Sequence, residues 1–209
     1  MGLSWRRIAL LAGVAALAAA APIVVRVGAP TPGFAVVSIA GQWFKVASAY
    51  VRPRDDGALE LVADFPGFEP AGGFADVNAA TDLDNRFAHV VFIALRPADP
   101  ALDPAERMAR LYERFLDENS WSHPGGLIAR AFVDGSPFEG DELYYVAPEG
   151  REFAARCRRP DPSRKTPNTC IAEFRLGAID VELRFAAALL SQWSALEQGA
   201  RRLIEAAKQ

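Results

Sequence analysis

Residues 8–25 form a run of eighteen positions without a charge, behind Arg6 and Arg7 and ahead of Arg26. As a helix the run spans about 27 Å, slightly short of a hydrocarbon core of about 30 Å, and the flanking arginines can snorkel. Two readings follow. An uncleaved anchor would keep its basic end in the cytoplasm, as the positive-inside rule requires. A signal peptide would be cut near Ala18-Ala19-Ala20, where small residues precede Ala21-Pro22. Both send the remainder out of the cytoplasm. The expected location is a bacterial inner membrane, single-pass with the domain in the periplasm, or the periplasm itself after cleavage. No cysteine follows directly on the run, which speaks against a lipoprotein. The expected division is 1–27 leader, 28–34 linker stiffened by Pro30 and Pro32, and 35–209 one extracytoplasmic domain.

Cys157 and Cys170 fit that compartment. Phe153, Ala155 and Cys157 alternate onto one side of one segment, and Cys170, Ala172, Phe174 and Leu176 onto one side of the next. Both thiols therefore fall on the apolar faces of successive strands. If those strands pair as a hairpin, the cysteines sit opposite each other, and an oxidising compartment favours their disulfide. Two buried free thiols are the alternative. Zinc needs more ligands, and there is no C-x-x-C.

Beyond the leader, about 180 residues suffice for one domain with a real core. Hydrophobic residues make up 51% and charged residues 23%, which excludes wholesale disorder. With 23 Lys+Arg against 26 Asp+Glu, a dedicated nucleic-acid binder is not expected. Strands are expected at 34–39 and 43–47, with a helix over 39–50 as the competing reading. Further strands are expected at 59–64, 127–133, 142–147, 152–158, 170–176 and 179–185. Residues 89–95 (HVVFIAL) are apolar on both phases, as in a central strand covered on two sides. Asp103-Pro104-Ala105-Glu106 reads as a helix start, and Met108, Leu111, Tyr112 and Phe115 repeat at helical spacing to about residue 118. A closing helix over 187–207 carries Leu189, Trp193, Leu196, Ala200, Leu203 and Ala207 on one stripe. The expected fold is α+β: an antiparallel meander sheet of about seven or eight strands, with one inserted and one C-terminal helix.

Candidate sites are few. Ser122-His123-Pro124-Gly125-Gly126 resembles the haem-ligand motif of the cytochrome b5 family, with Phe115-Leu116 upstream adding to the likeness. The resemblance implies an axial ligand at His123. The family needs a second histidine downstream; here the only other one, His89, lies upstream in an apolar strand, where it reads as structural. From Pro and Gly alone, the same residues read as a turn before the next strand, with Trp121 packed across the helix end. Asp82 and Asp84, with Asp76, Asn78 and Asn85, form an acidic group in the Gly/Pro-rich stretch 65–86, but Arg86 and the missing glycine break the EF-hand spacing. Arg158, Arg159, Arg164 and Lys165 crowd one hairpin tip, a contact for anionic lipid or an acidic partner.

No cofactor is expected. The leading expectation is a membrane-tethered, non-enzymatic binding or accessory protein with a protein partner in the cell envelope. An enzyme using the carboxylates of 65–86 and a haem or metal carrier at His123 are the alternatives.

Overall fold

The computed structural model describes residues 33–54, 58–71, 87–160 and 168–209. The apolar leader and the acidic group at Asp82 and Asp84 lie outside the described residues. No helix among those described is long and apolar enough to cross a membrane.

Strands β1 (Phe34–Ile39) and β2 (Gln42–Ala47) form a hairpin, paired from Phe34↔Ala47 to Ile39↔Gln42. Its turn needs left-handed backbone at Ala40 (φ 49) and Gly41 (φ 81). That turn ends the competing helix: only residues 48–50 make a short 3-10 turn.

The main sheet has ten strands among the described residues, all paired antiparallel. In chain order they are β3 (Val51–Arg52), β4 (Leu59–Asp64), β5 (Glu69–Pro70), β6 (Val90–Pro97), β7 (Leu116–His123), β8 (Leu127–Phe132), β9 (Asp141–Val146), β10 (Ala154–Arg158), β11 (Thr169–Leu176) and β12 (Ile179–Ala186). In space they run β3-β4-β6-β12-β11-β10-β9-β8-β7, with β5 on β4. The sheet is thus larger than the expected seven or eight strands and not a simple meander. After β6 the chain leaves the centre for the far edge at β7. It then returns strand by strand until β12 closes against β6. β6 is the central strand that its two apolar phases require: Val91, Ile93 and Leu95 are buried on one face, Val90 and Ala94 on the other.

Helix α1 (Trp193–Ala207) lies on one face of the sheet beside the β1–β2 hairpin. A 3-10 stretch over Ala187–Gln192 leads into it. Leu196, Ala200, Ile204 and Ala207 are its buried stripe, set against Ile93, Val181, Leu183 and the Cys157–Cys170 pair in one core. Arg201 lies 4.1 Å above the Phe174 ring and ties the helix to β11. The chain end joins this layer, with Lys208 bridged to Phe44 and the Gln209 amide donating to the Trp43 carbonyl.

The inserted helix is not a regular one. Asp103 caps Ala105 through Oδ1 at 2.9 Å, and Pro104 takes the first position, as the sequence predicts. A 3-10 turn, a wide π-type turn over Met108–Tyr112 and a second 3-10 turn then follow one another, ending at Phe115. The apolar stripe is real: Met108 and Tyr112 pack with Leu116, Phe132, Leu143 and Tyr145 in a second core on the opposite face of the sheet. What overrides a longer helix is pairing with β8, which draws Leu116 onward into an extended edge strand.

Candidate functional site

Side chains alternate along β7, β8 and β9, so one face collects Trp121 and His123, then Leu127 and Ala129, then Glu142, Tyr144 and Val146. Ala129 stands between Trp121 on one side and Tyr144 on the other. Ala129 itself is fully buried. The His123 ring meets the Tyr144 ring edge-on, 4.9 Å between centroids. The Tyr144 hydroxyl donates to Glu142 Oε2 at 2.6 Å, and Arg159 Nε lies 3.5 Å from Glu142 Oε1. Trp121, 40% exposed, stands at the outer edge of the row. The result is an aromatic and charged ledge on the helix-bearing face, at the far edge of the sheet.

The ledge is held from both ends. At one end, the turn after His123 uses left-handed backbone at Gly125 (φ 87) and Gly126 (φ 75). A Cβ on Gly125 would lie 2.6 Å from the Ser191 carbonyl oxygen, so glycine is required for the turn to seat against the start of α1. Trp193 Nε1 donates to the Gly125 carbonyl at 2.9 Å and stacks on Phe153. The turn reading of His-Pro-Gly-Gly therefore holds. Trp121, expected to pack across the end of the inserted helix, is instead exposed on β7. At the other end, Cys157 pairs across the strands with both Cys170 and Glu142. The Cys157–Cys170 disulfide is formed and buried, so β10, and with it the neighbour of Glu142, is covalently fixed to β11.

The polar groups of the ledge are engaged with one another. Burial, and then the bond to Glu142, push the Tyr144 phenol far above its ordinary value, so it stays a donor. Both Glu142 oxygens are engaged. His123 Nδ1 is 2.8 Å from the Pro124 carbonyl oxygen, which can only accept, so the proton sits on Nδ1. His89 is exposed and precedes β6, not buried within the strand as its phase suggests; its carbonyl accepts from Phe65. The two histidines sit six strands apart in the sheet. The strand order therefore does not bring the two together. No metal-holding group of three or more His, Cys, Asp or Glu occurs among the described residues.

Of the basic tip, Arg164 and Lys165 lie outside the described residues. Arg158 and Arg159 diverge. Arg158 joins Arg156 around the buried Asp141 on the opposite face, with its Nε 3.1 Å from Oδ1. Arg159 turns to the ledge and Glu142. Sequence reading singled out His123 and Arg159 separately and missed Trp121, Glu142 and Tyr144 as their companions. The signal was present in β9, where Glu142 and Tyr144 form a polar phase beside the buried Leu143 and Tyr145.

The fold and ledge define an α+β protein with a large antiparallel sheet and a C-terminal helix. No protein-family model matches the chain, and no curated protein is similar to it. Among solved structures, it is similar to Smlt3025, an immunity protein of the Stenotrophomonas maltophilia type IV secretion system. The TM-score is 0.58 at 16% identity, over 89% of this chain and 100% of that one. A second match is the Neisseria meningitidis iron-regulated outer membrane lipoprotein FrpD, with a TM-score of 0.45 at 13% identity, over 80% of this chain and 91% of that one. At these identities the first likeness concerns the fold.

Proposed function

We propose that this chain is an extracytoplasmic accessory protein of the immunity type, carried to the envelope by its apolar leader and acting by binding a protein partner at the ledge. The observation that carries this reading is Trp121, large and exposed, standing beside the half-buried His123, Tyr144 and Glu142 and the exposed Arg159 on a surface α1 leaves open. Tryptophan, tyrosine and arginine are the residues most enriched where binding energy concentrates, and a hydrogen-bonded base limits the entropy lost on docking. The fold shared with an immunity protein agrees with this role, though fold by itself does not carry function. Arg159 lies on the ledge beside Glu142 and would meet acidic groups of the partner. The leader and the disulfide both suit a periplasmic or membrane-tethered setting.

The test is co-purification of tagged full-length chain from envelope in mild detergent, beside Trp121→Ala and Arg159→Glu. A protein retained by the wild type and lost from both variants, at unchanged melting temperatures, is the expected result. A partner held equally by all three would overturn the assignment of the ledge. Intact mass of the same sample reports whether residues 1–20 remain.

A further inference from the structure

The β1–β2 hairpin has two unlike faces. Val37, Ile39, Phe44 and Val46 point inward and are buried. The register places Phe34, Val36 and Ser38 on the other face with Trp43, Lys45 and Ala47. Phe34 is 42% and Trp43 44% exposed, unusual for aromatic residues on a strand. Lys45 is exposed too, its Nζ 4.9 Å from the Phe34 ring centroid. This outward face carries a cation and no acid. Exposed aromatic rings beside a lysine are the composition of a membrane–water interface: the rings sit at headgroup depth, and the amine meets lipid phosphate.

Chain length puts this face within reach of such a surface. The uncharged run ends at Val25, and Phe34 follows after residues 26–33. Even fully extended at about 3.5 Å per residue, that connection spans only about 30 Å. We infer that the outward face of the β1–β2 hairpin seats on the bilayer holding the leader, with Trp43 and Phe34 at the headgroup level and Lys45 against anionic lipid. This rests on the leader remaining as an anchor, the reading given above. The sheet then stands on the membrane by its hairpin, with β7 and the ledge on separate elements free for a partner.

The experiment uses full-length chain in vesicles of phosphatidylglycerol and phosphatidylcholine, the latter brominated to quench tryptophan fluorescence. Trp5 reports the leader, Trp43 the hairpin and Trp121 the ledge. In a Trp5→Phe background, Trp43→Phe is expected to remove most of the remaining lipid-dependent quenching, and Trp121→Phe to leave it intact. Lys45→Glu is expected to weaken the quenching when phosphatidylglycerol is present and not on phosphatidylcholine alone. If Trp5 is quenched while Trp43→Phe changes nothing, the face has another occupant, such as a protein, and the seating is overturned alone. If Trp5 is not quenched either, the anchor reading falls with it.

Discussion

Gly199 shows how one missing side chain can set a packing arrangement. It lies in the buried stripe of α1, and a Cβ there would overlap the ring of Phe68. Phe68 itself is left-handed (φ 58), its carbonyl accepts from the Tyr50 hydroxyl at 3.0 Å, and its ring meets Phe65 edge-on. Gly199→Ala must displace that ring from the core. A loss of about 2–3 kcal/mol is expected, at the upper end for overpacking, and urea unfolding with an unchanged slope would register it. Nothing in the sequence marks this glycine, because its partner belongs to a distant turn. Glu173 is a second such residue. Burial raises its carboxyl pKa, and Glu182 and Asp180 add to the rise, while Arg107 Nε at 2.9 Å opposes it. The folded chain therefore holds this proton more tightly than the unfolded chain. The stabilisation is full below the unfolded value of about 4.3 and lost as pH rises through the folded one. Glu173→Gln, which mimics the protonated side chain, is expected to melt above wild type at pH 7, with the gap closing below about pH 4. Melting curves across pH 3.5–8, roughly the span of the titration, decide it.

Among the elements, those governed by local pattern were legible and those governed by pairing were not. The alternation in β12, the two apolar phases of β6 and the stripe of α1 all predicted their elements from neighbouring residues alone. The cysteines were legible for the same reason, since strand phase put both on one face. Removing the link with Cys157→Ser and Cys170→Ser frees a loop of about 14 residues. The chain-entropy model expects a loss of roughly 3 kcal/mol. A fall in the urea midpoint for the double variant, matched by reduced wild type, would bear this out. β7 shows the other case. Its residues 116–123 (LDENSWSH) carry no apolar alternation, and a bulge between Leu116 and Ser120 breaks the register. Asp117 turns back on the Asn119 amide there, and Arg130 binds the Leu116 and Asp117 carbonyls. Only β8 makes this segment a strand, so the sequence could suggest a turn at His123 but not the edge leading into it. The ledge was missed for the same reason: it draws on three strands whose order no local pattern states.

At the scale of the whole molecule, the strand order decides where stability lies. β6, β12 and β11 are each paired on both sides, and their core face packs under α1, whereas β7 is an edge. Amide exchange is expected to be slowest in Ile93, Val181, Leu183 and Ala172, and faster by orders of magnitude in Asn119–Ser122. Uniform protection across β7 and β12 would contradict this hierarchy. β12 also has a consequence for biogenesis. In chain order it follows every other described strand of the sheet, yet it separates β6 from β11, joining an early group of strands to a late one. Until β12 has emerged, both groups present raw edges with no neighbour, and only that strand can zip them together. Premature termination just upstream of Ile179 would thus yield one chain with two sticky, unjoined halves, fit for proteolytic clearance and not a smaller working protein.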